Sequence, residues 1–252
     1  MTKGKIVRIY LLPDHVQPRD LVRSSAIVVD LLRASTTIVH ALGNGATKVI
    51  PVATVDQAKS LAASTPERLL LAGERNAVRI EGFDLGNSPL EYASERVRGR
   101  GIVLTTSNGT AAFSKVAAAS AVLVGCLANL SAAVERARSI GNPVKIVCSG
   151  DDGAPSLEDT LAAGMIARAL IQQGNYTLAE DDSTQMTAAL VDHFGQSREG
   201  LTKAVWRSAN ARNLARLGLR DDVATALRLD SHDLVPRLTH DERVAIPVLT
   251  AG

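Results

Sequence analysis

Aromatic side chains are scarce in this chain: three Phe, three Tyr and one Trp, or 3% of 252 residues. A core with so few rings has to be filled by Val, Leu, Ile and Ala, and such a chain is poorly equipped to stack on bases as single-strand nucleic-acid binders do. A block of one charge sign is also missing. Twenty-eight basic residues stand against 26 acidic ones, a formal net charge of +2, and without a basic run nucleic acid is not expected as a partner. Cysteine is limited to Cys126 and Cys148, each ending an apolar run and neither at metal-ligand spacing. Both are expected as buried, reduced thiols, and the lack of a Cys/His cluster argues against zinc. No apolar run approaches the roughly 20 residues of a membrane span, and the polar start Met1–Lys5 does not resemble a secretory leader. The expectation is a soluble, cytoplasmic protein with no membrane partner, in which the Asn-x-Ser/Thr triplets at Asn108, Asn129 and Asn175 carry no meaning.

Several catalytic signatures are absent too. There is no Walker A sequence; Gly43-x-Gly45 lacks the third glycine of a dinucleotide fingerprint; no Gly-x-Ser-x-Gly elbow occurs. Asp30 is followed two positions on by Leu32, so an Asp-x-Asp pair is missing as well.

What is present is alternation. Hydrophobic residues make up 46% of the chain and charged residues 21%, ordinary values for a globular protein long enough to bury a sizeable core. Apolar runs at Ile6–Leu12, 26–32, Lys48–Val52, Leu69–Leu71, Ile102–Leu104, Val122–Val124 and Ile146–Cys148 read as strands, and helical periodicity fills most of the intervals up to about Gln172. Ser88-Pro-Leu-Glu91 has the residues of a helix start. The alternation predicts a three-layer α/β/α fold with a largely parallel or mixed central sheet. Residues 1–252 read as a single domain, with 174–252 as its mostly helical C-terminal part. His15 reads as an exposed loop residue.

Ligands of open α/β sheets bind beyond the carboxyl ends of the strands, and four strand ends here carry polar clusters. The first is Asp30-Leu-Leu-Arg33-Ala-Ser35-Thr36-Thr37; the others are Gly73-Glu74-Arg75-Asn76, Thr105-Thr106-Ser107-Asn108-Gly109-Thr110, and Ser149-Gly-Asp-Asp-Gly ahead of Ser156-Leu-Glu-Asp159. On parallel strands all four would share one rim. Hydroxyls and backbone N–H groups at a helix start suit an anion, Arg33 and Arg75 suit bidentate oxyanion clamps, and hard carboxylate oxygens are how proteins hold Mg²⁺. Plainer readings stand beside these: capping at Ser35–Thr37, a capping box at Ser156-x-x-Asp159, and a surface turn at Asp151-Asp152-Gly153.

The run Val28–Thr37, Gly73-Glu74, Gly82-Phe-Asp-Leu-Gly-Asn-Ser-Pro-Leu-Glu-Tyr92, Thr105–Thr110 and Ser156–Thr160 together resemble the 2-phosphosulfolactate phosphatase family. The resemblance implies a Mg²⁺-dependent hydrolase acting on a small phosphorylated hydroxy acid, with sulfolactate as product on a route toward coenzyme M. On that basis Asp30 and Arg33 are the expected catalytic residues, and Asp30 with Glu74 or Asp159 the metal ligands. Ser35, Thr36, Thr37, Arg75, Asn87, Ser88 and the Thr105–Thr110 loop are the expected binders of phosphate, carboxylate and sulfonate. A non-catalytic module for a phosphorylated metabolite and a phosphotransferase with an acceptor other than water are the alternatives. The oligomeric state, homo-oligomer included, is left open.

Overall fold

The computed structural model describes residues 4–241 and 246–252. Its strands are β1 (Lys5–Tyr10), β2 (Ser25–Val29), β3 (Lys48–Pro51), β4 (Leu70–Arg75), β5 (Val78–Arg79), β6 (Gly101–Thr105), β7 (Ala121–Val124), β8 (Val144–Cys148), β9 (Tyr176–Leu178), β10 (Pro236–Asp241) and β11 (Ile246–Ala251). They form one mixed sheet in the order β5-β4-β6-β3-β11-β10-β7-β2-β8-β1-β9, flanked by helices in a three-layer α/β arrangement. All five residues of β2 are buried, as a continuous apolar run between parallel neighbours requires. The core is aliphatic throughout, and a side chain such as Ile27, fully buried, contributes about 2–3 kcal/mol relative to exposure. Both cysteines are buried and free.

The C-terminal hairpin decides how the sheet is put together. β2, β7, β8, β1 and β9 run parallel to one another, and so do β3, β6 and β4. The β10–β11 hairpin lies between the two sets, antiparallel to β7 on one side and to β3 on the other. Three antiparallel pairings in succession mean that the two sets run in opposite directions. The expectation of one shared rim therefore holds only within each set: β2 and β8 share one, β4 and β6 the other. Twist of roughly 20–25° per strand step accumulates across these pairings, and the two rims meet. Arg33, beyond β2, donates to the carbonyl of Ala77 between β4 and β5 (3.1 Å), and Asn108, beyond β6, donates to Asp151, beyond β8 (3.0 Å).

Other departures from the sequence reading are local. The segment after 218 supplies two strands at the centre of the sheet; Pro236 stands at a strand's first residue, where its missing N–H is tolerated. β2 stops at Val29, leaving Asp30 just outside the ladder. Ser88 precedes a single 3₁₀ turn, Pro89–Glu91, not a helix, and its hydroxyl does not cap it.

Candidate active site

The helix Ala34–Gly43 is rich in residues that are poor helix formers, Ser35, Thr36, Thr37, Ile38 and Val39, and it forms because eight of its ten residues are buried. Its hydroxyls build the turn that leads into it. Ser35 Oγ accepts the Asp30 N–H (2.9 Å), Thr36 donates to the Leu31 carbonyl (2.8 Å) and Thr37 donates to the Asn87 carbonyl (2.8 Å). All three are engaged with backbone and none lines the site cavity. Asp30 itself caps the helix through Oδ1, which accepts the Ala34 N–H (3.1 Å). Oδ2 makes no hydrogen bond among the described residues.

On the opposite rim β4 and β6 come unusually close. A Cβ at Gly73, whose φ is +151°, would stand 2.1 Å from the Thr105 carbonyl oxygen. This approach seats Glu74 under the loop after β6, where its carboxylate accepts the Ser107 N–H (2.8 Å), the Ser107 hydroxyl (3.3 Å) and the Ala77 N–H (2.7 Å). Arg75 alternates to the other face and donates to Thr105 Oγ1 (2.9 Å) and its neighbour's carbonyl (2.7 Å). Neither Arg75 nor Thr105 lines the cavity, so both leave the expected anion site. Thr106 and Thr110 bond to each other at the start of the helix Gly109–Val116. Gly109 is there for space: a Cβ would stand 2.4 Å from Asp30 Oδ2 and 2.5 Å from Ala34 Cβ.

Asp159 is likewise held by backbone. Its Oδ1 accepts the Leu31 N–H (2.8 Å) and its Oδ2 the Gly150 N–H (3.2 Å), so it clips the ends of β2 and β8 together, and it does not reach the cavity. It is not the capping-box partner of Ser156 either, whose side chain caps nothing. Ser88 likewise stays outside the cavity lining, with its hydroxyl on Asp222 (2.6 Å).

Between the rims lies a cavity of about 350 Å³. Of the expected residues Asp30, Arg33, Glu74, Asn87, Thr106, Ser107 and Asn108 line it. Asn87 is 5% exposed, and its Oδ1 is buried without a hydrogen-bond partner. The cavity wall also contains Asn76, Asp151 and Asp152, which belong to the polar strand-end clusters but had no assigned role, and Asn210, Asn213 and Leu217 from the C-terminal segment, which the sequence reading did not select. Asn210 and Asn213 lie three apart on the helix Ala209–Arg216, a carboxamide stripe where an outward face usually carries charge. That was the available signal.

The cavity is electrostatically lopsided. Four carboxylates line it, from Asp30, Glu74, Asp151 and Asp152, against the single guanidinium of Arg33, and Arg33 is already paired with Asp222 at 2.7 Å. Burial pushes Asp30 up to about 7; the Ala34 N–H opposes this, while Glu158 and Glu74 add like-charge repulsion and Arg33 works against it. Asp151 is raised for the same first reason, with Asp152 next. Buried Glu158, whose Oε2 has no hydrogen-bond partner, and Asp159 are also raised, desolvation leading in both. Excess negative charge among polar walls, with perturbed carboxyls in it, marks the cavity as the candidate site.

Comparison with known proteins gives the same direction. Residues 10–241 match the family described as 2-phosphosulpholactate phosphatase. A probable 2-phosphosulfolactate phosphatase of Caldanaerobacter subterraneus is 39% identical over 224 residues, 88% of this chain and 91% of that protein. Those of Deinococcus radiodurans and Thermotoga maritima are 37% and 38% identical, covering 94% and 86% of this chain and 95% and 89% of theirs. With the match spanning both rims and the loops between them, the chain belongs to the 2-phosphosulpholactate phosphatase family, a family of phosphoric monoester hydrolases.

Proposed function

We propose that this chain hydrolyses 2-phosphosulfolactate to sulfolactate and phosphate, with Mg²⁺ as cofactor. The observation that carries the reading is the charge of the cavity: four carboxylates and one already-paired guanidinium cannot hold a polyanion unless a cation enters with it. The donor chemistry fits Mg²⁺, since the lining offers carboxylate and carboxamide oxygens and no His or Cys. No group of three or more His, Cys, Asp or Glu that could hold a metal ion is found among the described residues. Asp30 and Glu74 would hold the Mg²⁺. When bound, the ion would supply charge neutralisation at the phosphoryl oxygens.

The protein's own groups supply the rest. Of the five N–H groups of Arg33, one is held by Asp222 and one by Ala77; the others are available to a phosphoryl oxygen. The Thr106–Thr110 turn presents a helix N-terminus toward the same place. Asn87, Asn210 and Asn213 offer neutral donors and acceptors for the carboxylate and sulfonate, without adding charge to a crowded site. Positioning and charge stabilisation of this kind account for most phosphoryl-transfer catalysis.

The test is phosphate release from 2-phosphosulfolactate by protein stripped with EDTA, before and after Mg²⁺ is added. Release that vanishes with EDTA and returns with Mg²⁺ is expected. Binding without turnover, or a rate indifferent to EDTA, would overturn the reading.

A further inference from the structure

We propose that Asp222 is a positioning residue for the anion site, holding the Arg33 guanidinium and the Asn87–Ser88 turn in one geometry against the cavity. Its two oxygens divide the work. Oδ2 accepts Arg33 Nη1 at 2.7 Å across 189 positions of sequence, and Oδ1 accepts the Ser88 hydroxyl at 2.6 Å across 134. Arg33, Ser88 and Asp222 are 5%, 7% and 1% exposed, so water does not compete for these bonds. Asp222 comes from the helix Arg220–Ala226, in the C-terminal segment, while Arg33 follows β2 and Ser88 follows the loop after β5. One carboxylate therefore ties together three separate parts of the chain.

The geometry has a direction. Nη1 on Asp222 and Nη2 on the Ala77 carbonyl (3.1 Å) fix the guanidinium plane and leave its remaining N–H groups for the cavity that Arg33 lines. Ser88 pinned by Asp222, with Thr37 on the Asn87 carbonyl (2.8 Å), holds the Asn87 side chain in the cavity wall. Arg33 and Asn87 are the two lining groups best suited to oxyanions, and both depend on the same carboxylate. A buried use of both Asp222 oxygens at the edge of a site is more than a fold contact, because one residue it bonds, Arg33, lines the cavity and the other, Ser88, adjoins Asn87, which lines it.

This inference rests on the cavity being an anion site. Its test has one arm that needs turnover and one that does not: KM and kcat for 2-phosphosulfolactate with Mg²⁺, and calorimetric binding of inorganic phosphate to the full chain under the same conditions. Asp222→Glu keeps the charge but advances the carboxylate by one methylene, displacing both partners. It is expected to raise KM and the phosphate Kd about tenfold, since small misplacements of oriented groups carry costs of this order or more. Asp222→Asn keeps an acceptor for Arg33 at the original distance but loses the one for the Ser88 hydroxyl, and is expected to raise both by a smaller factor, about threefold. A purely structural Asp222 would lower Tm in Asp222→Glu while leaving KM and phosphate affinity of the folded protein native, and that result overturns the proposal. If the native chain fails to hydrolyse 2-phosphosulfolactate, the functional reading falls, and the phosphate arm still decides the role of Asp222.

Discussion

The helix Ala34–Gly43 has an ionisable group near each end, buried Asp30 before its first turn and half-buried His40 in its last. Burial is the largest influence on both: it pushes the Asp30 carboxyl up to about 7 and the His40 imidazole down to about 4. The helix dipole favours the charged form at each end, an anion at the start and a cation at the finish, and at each end desolvation outweighs it. The surroundings differ. His40 packs edge-on against His232, ring centroids 4.5 Å apart, where both imidazoles are lowered and a neutral pair is a settled arrangement. Asp30 opens onto a polar cavity that contains further carboxylates, so its ionised form is disfavoured unless a cation enters from outside. The same physical term thus makes a structural joint at one end of a helix and a candidate binding site at the other.

The largest break in this comparison is expected from Asp30→Asn. Removing the carboxylate that faces both cation and phosphate should lower kcat/KM about 10³-fold or more, while thermal unfolding of the metal-free protein shifts upward because a repelled buried charge is gone. An equally active, less stable variant would make Asp30 an ordinary helix cap. Asp159→Ala comes next and separates the clip from the metal site. It leaves the Leu31 and Gly150 N–H groups without their acceptor, a cost of about 2–4 kcal/mol, to be read as a fall in Tm that is the same in EDTA and in Mg²⁺. A fall seen only with Mg²⁺ would return Asp159 to the metal ligands. Gly109→Ala acts on the site and the fold together. Its Cβ, 2.4 Å from Asp30 Oδ2 and 2.5 Å from Ala34 Cβ, has to displace the carboxylate and the start of the helix, so steady-state kinetics should show about a 10²-fold loss together with a fall in Tm.

These variants also mark where the sequence was legible. Asp30, Glu74 and the Thr106–Gly109 turn could be found because each directly follows an apolar strand, and a polar group in that place has few structural reasons to be there. Arg75 and Thr105 could not be separated from them, since one step along a strand turns a side chain to the other face and only the register of β4 on β6 says which face is which. Ser35, Thr36 and Thr37 look the same on paper whether they meet a phosphate or a carbonyl. Asn210, Asn213 and Asp222 lie beyond residue 200 in segments whose helical periodicity is clear but whose docking partner is not. Contacts spanning 178 and 189 positions, Asn210 on the Leu32 carbonyl and Asp222 on Arg33, leave no local trace. The opposed direction of the two parallel sets was hidden for a related reason: it depends on where the last hairpin inserts, and nothing in β10 or β11 alone names its neighbours.

The smallest expected effect is in the pH dependence of stability, where the two helix ends should pull in opposite directions. His40 has a lowered pKa, so between about 4 and 6.5 the unfolded chain binds a proton that the folded one resists. Its contribution is present above 6.5 and is lost as pH falls. With the ring only half-buried, and the full shift discounted accordingly, the loss is about 1–2 kcal/mol by pH 4. Asp30 has a raised pKa, so its contribution is complete below the ordinary carboxylate value and is lost as pH rises through about 7. The two windows overlap, so the opposed slopes largely offset each other between pH 4 and 6.5, and thermal unfolding in EDTA should vary little there. His40→Gln should leave stability falling as pH rises from 4 to 7, and Asp30→Asn should leave it rising from 4 to 6.5. Added Mg²⁺ should stabilise the chain more at pH 8 than at pH 4, because a cation beside Asp30 favours the ionised form. If Mg²⁺ acted equally at both pH values, its site would not be at Asp30.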